Sequence, residues 1–444
     1  MDKNSVYNQI TAALKEYPEL PYTFQDVGSA GKLDVIFSLW KDDIGFKEKF
    51  FYVYHLIEKI QEAMEVGFVP ENTKAWIKNN APLIAYHTLF NDRLRLMLRE
   101  GKMDEKALYP IGLELATKGH TGEEVKLGML ILGHFKNDLA RRILRTLGLH
   151  SEFTLFAIEA SKNFKDHNSF VFYLAKNTTG YGKLASIALL EPITEEQRDW
   201  MLTEGAINEV ARDLSAVICL DKEDMAFYYQ DFEVSKTNYG YFSRLLAYGG
   251  QKGFIRAFPG SLNIVNGYLN EVMGEINSFI ELAAVVMIWI NLGSSWEEFN
   301  EEYKTHDWTR EINNDIKDQC NGILKSAKWD NLILRELENP TESTRLILTV
   351  MDRLNFLPWL NKLVPLLDRD LFDLDIMTFT LIEHPRFYAG VILEYLKALL
   401  PKEVFSGPMD IKKEEYTSEY KPDIWLVHLL KAMISEGEYL EQFM

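Results

Sequence analysis

Apolar residues recur along the middle of the chain with a helical period, and the helices they imply recur in turn. In the run INEVARDLSAVICL, Ile207, Val210, Ala211, Leu214, Val217 and Ile218 form one stripe on a helix of about 3.6 residues per turn. In DLARRILRTLG a second stripe is made by Leu139, Ile143, Leu144 and Leu147. Leu346, Ile347, Val350, Met351 and Leu354 make another further on, and FYAGVILEYLKALL and DIWLVHLLKAMISEG continue the pattern. Runs alternating with period two are short, so the patterning predicts an all-α chain.

Glycines punctuate these helices. Gly119, Gly148, Gly180 and Gly205, spaced by 29, 32 and 25 residues, each follow one helical pattern and precede a more apolar one. Glycine closes a helix at little steric cost. Thr121 with Glu124, and Thr194 with Gln197, have the spacing of capping boxes that satisfy orphan amides at helix starts. Helix pairs repeating near every thirty residues indicate a stacked array, because one pair cannot bury its apolar face alone.

On these residues the chain resembles the HEAT and armadillo class of α-solenoids, with irregular repeats, over 104–226. The stretches ILRTLGLHSEFTLFAIEA and TTGYGKLASIALLEPITEEQRDWMLTEGAINEV also resemble a group of bacterial HEAT-like proteins without an assigned activity. That resemblance implies an α-α superhelix of stacked helix pairs serving as a scaffold, and it carries over no catalytic residue. The expected organisation is an N-terminal helical region (1–103), the helix-pair array (104–226), an aromatic and glycine-rich junction (227–262) and a C-terminal helical array (263–444). The last contains an exposed loop at 401–422, where Pro, Gly and charges mix, and a closing helix.

Charge narrows the partners. The formal net charge is −18 over 444 residues, with 27 Lys+Arg against 31 Asp+Glu up to Lys222 and 21 against 35 beyond it. Such a field repels phosphate backbones and anionic membranes, so neither nucleic acid nor membrane is an expected partner. Two cysteines, Cys219 and Cys320, provide no disulfide framework and too few thiolates for a Cys-rich zinc site. The N-terminus lacks a secretory pattern, and the most apolar run, Phe279 to Ile290, is shorter than the roughly 20 residues of a spanning helix. A cytoplasmic protein is expected.

Candidate chemistry is sparse. No two of the nine histidines lie within one helical turn, and the aspartates Asp368, Asp370, Asp373 and Asp375 lack the central glycine and closing glutamate of a calcium loop. No Gly-x-Ser-x-Gly elbow occurs, and Cys219 sits on an apolar stripe. TTGYGKLAS has the look of a phosphate loop, yet Asn177 stands where its first glycine belongs and Leu184 where its hydroxyl belongs. It reads as a turn between helices, with Lys183 near a helix N-terminus as an anion contact. No catalytic residue, metal or cofactor is therefore expected.

Two basic clusters stand out from the acidic background. Lys74 to Lys102 holds six bases (Lys74, Lys78, Arg93, Arg95, Arg99 and Lys102) against Asp92 and Glu100, and Arg141, Arg142 and Arg145 add a second group. Either suits an acidic peptide or a phosphoryl group, and either could be an exposed helix face paired with carboxylates. Ten aromatic residues between Phe227 and Phe258 suit a packing junction or a recognition surface that includes Tyr239 and Tyr241. The function these features suggest is a non-enzymatic α-solenoid scaffold binding a protein or peptide through Arg141, Arg142, Arg145, Lys183, Tyr239 and Tyr241. The alternatives are a HEAT-like nucleic-acid repair enzyme or a small-molecule binder.

Overall fold

The structure is a computed structural model that describes residues 4–26, 28–40, 44–222, 225, 228–229, 232–273, 276–293, 307–326, 329–399 and 421–436. The described residues are helical throughout their regular structure, with no strand among them. The chain divides into two compact units, Met1–Tyr228 and Tyr229–Met444. The segment expected as a junction at 227–262 contributes its described residues from Tyr229 onward to the second unit.

The first unit opens with α1 (Val6–Glu16), α2 (Lys32–Trp40), α3 (Phe46–Val66), α4 (Glu71–Asn79) and α5 (His87–Arg99), with a 3₁₀ turn at Leu83–Ala85. Four helix pairs follow. They are α6 (Glu105–Lys118) with α7 (Gly122–Leu132), α8 (Asp138–Gly148) with α9 (Ser151–Ser161), α10 (His167–Asn177) with α11 (Gly180–Leu189), and α12 (Glu195–Trp200) with α13 (Arg212–Leu220). Within the first three pairs the two helices pack on each other, and α7 touches α9, α9 touches α11, and α11 touches α13. The glycine register therefore marks the passage from the first helix to the second of each pair.

The second helices lie between neighbours, which explains their composition. Residues Glu124 to Leu132 of α7 are all buried, as a helix apolar on every side requires. The first helix of the second pair is instead two-faced: α8 buries Ala140, Ile143, Leu144 and Leu147 and exposes Arg141, Arg142 and Arg145. Leu139, expected on its inward stripe, is exposed. Close crossing needs small residues. A Cβ on Gly128 would stand 2.3 Å from the Ala116 nitrogen, so α7 can meet α6 this closely only without a side chain there.

The TTGYGKLAS turn is resolved in the same terms. Gly180 has φ +59°, a left-handed value glycine adopts freely, and a Cβ on Gly182 would come within 2.5 Å of Thr154 Oγ1 and 2.9 Å of Ser151 Cα on α9. One glycine makes the turn and the other lets α11 approach α9. The Gly180 amide donates to the Glu209 carboxylate at 3.1 Å, so the start of α11 has an acceptor from its own chain. Thr194 and Gln197 form the full capping box, whereas Glu124 accepts the amide of His120 at 3.1 Å while Thr121 accepts that of Glu124.

The helix expected from Ile207 starts later. α12 continues as a π turn over Met201–Gly205, Ala211 takes φ 47°, and α13 begins only at Arg212. The intervening residues are drawn to the preceding pair, where Asn208 Nδ2 donates to the Gly180 carbonyl at 3.1 Å. Consequently Ile207 is exposed, and the buried face of α13 is Ser215, Ala216, Cys219 and Leu220 rather than the stripe through Leu214 and Val217.

The second unit contains α14 (Tyr239–Gln251), α15 (Ser261–Val272), α16 (Phe279–Gly293), α17 (Arg310–Ser326), α18 (Asp330–Glu338), α19 (Thr344–Arg353), α20 (Val364–Leu367), α21 (Leu374–Met377), α22 (Pro385–Leu399) and α23 (Lys421–Glu436). The run at Phe279–Ile290 is the central helix of this unit: α16 packs against α14, α15, α17 and α19, and no helix among the described residues is long and apolar enough to cross a membrane. Asp373 caps α21 by accepting the amides of Asp375 and Ile376. The loop expected at 401–422 lies outside the described residues, apart from the two that begin α23.

Candidate peptide-docking groove

Helix α3 carries more apolar residues than its own packing uses. One stripe, Val53, Leu56, Ile60 and Ala63, is buried, and α3 packs against α4, α5 and α6. A second stripe of Phe46, Phe50 and Tyr54, spaced four residues apart, faces water at 70, 48 and 62% exposure. Such spacing aligns side chains along one helix face. The rings of Phe46 and Phe50 meet edge to face at 4.7 Å between centroids.

Beside this stripe α3 and α5 frame an open groove of about 580 Å³. Its floor includes Val53, Ile57 and Met97, and its walls include Phe50, Tyr54 and the exposed Leu96. Single exposed apolar side chains are ordinary on a protein surface, whereas a continuous row along a groove marks an interaction site. Neutral and acidic groups, Gln61 and Glu58, edge the α3 side. Glu58 is engaged with His55 at 3.0 Å, and it holds the neighbouring Tyr54 phenol above its ordinary pKa.

The α5 side is lined by Asp92 and Arg93, and Arg93 is the one base of the Lys74–Lys102 cluster in the lining. Three of the cluster's six bases are paired with nearby carboxylates: Lys74 with Glu71 at 2.7 Å, Arg95 with Asp92 at 3.5 Å and Lys102 with Glu100 at 2.6 Å. Glu100 is held below its usual carboxylate range by Lys102. Arg93, which lines the groove, and Arg99, one and a half turns further along α5, are exposed and form no ion pair among the described residues.

The other expected contacts lie elsewhere. Arg141 pairs with Asp166 through two hydrogen bonds, and Arg145 stacks on Tyr173 at 3.7 Å, while Arg142 is exposed between them. The Lys183 ammonium donates to the Glu204 carbonyl at 2.8 Å and sits 5.5 Å from the Trp200 ring; burial pushes its pKa down. These side chains are brought together along the helix pairs, but apart from Arg142 they are engaged within the fold. In the second unit Tyr239 reaches Glu281 at 3.5 Å and Tyr241 is half exposed. Most aromatics around them pack inward: Tyr229, Phe242, Tyr248 and Phe258 are buried, and Phe227 lies outside the described residues. Cys219 and Cys320 are buried thiols whose pKa values burial raises to about 12.

One group of potential metal ligands occurs among the described residues, Asp352, Glu383 and His384 in the second unit. His384 is already bonded to Asp352 at 3.0 Å. No protein-family model, curated protein or solved structure matches this chain.

Proposed function

We propose that the chain is a non-catalytic scaffold of stacked helix pairs, of the HEAT and armadillo kind, whose first unit binds the amphipathic helix of an acidic partner protein between α3 and α5. The observation that carries this reading is the row Phe46, Phe50 and Tyr54, exposed beside an open groove whose far side holds Arg93. A helix laid in such a groove anchors through apolar residues at i, i+3 or i+4, and i+7. One of its carboxylates would meet Arg93, the arginine that lines the α5 side. The succession of pairs from α6 to α13, each second helix touching the next, supports the helical-repeat reading.

Selection from a displayed library of helical peptides tests it with the full chain as bait. The expected winners combine helically spaced apolar residues with Asp or Glu, and they lose at least about tenfold in affinity against Leu96→Ser or Phe50→Ser. Both substitutions lie on exposed surface, so folding is retained. Failure to enrich any peptide, or winners that bind both variants as well as the parent, would reject the groove as the docking site.

A further inference from the structure

Beyond Lys222 the chain carries 21 basic residues against 35 acidic ones, yet one pocket in the second unit is lined by basic charge alone. It opens among α14, the turn that follows it, α16 and α19, and has a volume of about 440 Å³. Arg256 and Arg345 line it, and no acidic residue does. Met287 and Ile290 of α16 give it an apolar side.

The two arginines are held differently. Arg256 is 1% exposed, and its guanidinium is fixed where Nη1 donates to Asn313 Oδ1 at 2.9 Å and Nη2 to the Asn291 carbonyl at 3.1 Å. Burial lowers its pKa to about 10, so it stays charged at neutral pH. Arg345, in the first turn of α19, is exposed and forms no ion pair among the described residues; Asp375 feels its charge from outside the lining.

The third polar group is an amide. Gln251 ends α14, and its Nε2 is buried without a hydrogen-bond acceptor among the described residues. The carbonyls beside it are already taken. That of Gly249 accepts the Lys252 and Phe254 amides, and that of Gly250 accepts the Gly253 amide and Asn291 Nδ2. A buried donor left unmet is costly until an acceptor is supplied. An oxyanion entering the pocket supplies one, and a planar carboxylate also matches the Arg345 fork with two parallel hydrogen bonds. The volume is that of a small-molecule site, where a few polar groups fix the ligand against an apolar wall.

We propose that this pocket binds a small organic carboxylate, with Arg345 and Gln251 donating to the carboxylate, Arg256 supplying a second fixed positive charge and the Met287–Ile290 side receiving a short apolar body. The site belongs to the second unit and does not rest on the reading of the α3–α5 groove.

Titration calorimetry and thermal unfolding of the full chain with benzoate test the proposal. Benzyl alcohol and benzylamine serve as the neutral and cationic controls, and acetate as the head without the body. Benzoate is expected to bind and raise the unfolding midpoint, with the alcohol and acetate each at least about tenfold weaker and the amine weaker still. Arg345→Gln, at an exposed position where substitution spares folding, should weaken benzoate about tenfold and leave the alcohol unchanged. Gln251→Met keeps the length of the side chain without its N–H groups and should weaken benzoate about threefold. Arg353→Gln removes the same charge from the same helix, but Arg353 stacks on Trp289 at 4.1 Å outside the lining, so benzoate affinity should hold. Equal binding of benzoate and benzyl alcohol, acetate as tight as benzoate, unchanged affinity in Arg345→Gln or Gln251→Met, an equal loss in Arg353→Gln, or no binding of benzoate at millimolar concentration would overturn the assignment.

Discussion

Replacing Lys126 with methionine should destabilise the first unit more than any exposed charge substitution. Methionine fills similar space, so the perturbation is mainly electrostatic. It leaves Asp34, Glu123 and Glu152 facing one another without the cation they share at 2.6 to 3.1 Å. Removing one partner of a buried ion pair typically costs about 3–5 kcal/mol, because an uncompensated charge remains. The loss must also depend on pH. Burial already raises the Asp34 carboxyl to about 6 against the pull of Lys126, so without Lys126 it is raised further, the fold takes up a proton, and stability is lost as pH rises through its folded pKa. The deficit relative to the parent is therefore largest at pH 7.5 and shrinks toward pH 5. Native-state hydrogen exchange of the α7 and α9 amides is the suitable assay, since it reports this unit independently of the second. Protection within about 1 kcal/mol of the parent at pH 7.5, or an equal loss at both pH values, would refute the reasoning.

Further outcomes follow from single contacts. Gly128→Ala places a methyl 2.3 Å from backbone nitrogen, which no rotamer relieves, and should destabilise by about 2–3 kcal/mol in urea denaturation; an effect below about 0.5 kcal/mol would contradict the packing of α6 on α7. Gly180→Ala forces a side chain into φ +59° and should cost about 1–2 kcal/mol, read as a lower unfolding midpoint. Burial raises the Asp34 carboxyl from its ordinary value to about 6 against the pull of Lys126, so its ionisation should remove up to about 3 kcal/mol of stability between pH 4 and 6. Asp34→Asn should flatten that part of the pH–stability curve, as measured by urea midpoints. Arg145→Ala, losing only an exposed stack on Tyr173, should change stability by less than about 1 kcal/mol.

Local features were legible in the sequence to the extent that local contacts create them. The glycine spacing marks the four passages between paired helices because turn geometry is a property of adjacent residues. The run at Phe279 marks the central helix of the second unit because a helix apolar all round must be enclosed. α13 escaped this reading because Asn208, pinned to Gly180, delays its start, and no periodicity within INEVARDLSAVICL carries that tertiary tie. The groove was half visible. Arg93 in its lining belongs to the Lys74–Lys102 cluster, but nothing in FKEKFFYVYHLIEKI says whether Phe50 and Tyr54 or Val53 and Leu56 turn inward until α4, α5 and α6 are placed. The ion cluster around Lys126 was hidden more deeply, since Asp34 and Lys126 are far apart in sequence and meet only when α2 packs on α9. Its one sequence signal is a lysine embedded in EEVKLGMLIL, between residues that an enclosed helix buries.

The most direct test of the docking groove is a charge-reversal cycle on a selected helical peptide, with affinity measured by fluorescence anisotropy. Changing the peptide's groove-facing Glu to Lys should weaken binding to the parent about tenfold, corresponding to roughly 1.4 kcal/mol, and the same peptide should recover most of that loss against Arg93→Glu. If the peptide reversal has the same effect on the parent and on Arg93→Glu, Arg93 does not meet the partner's carboxylate and the groove between α3 and α5 is not the binding site.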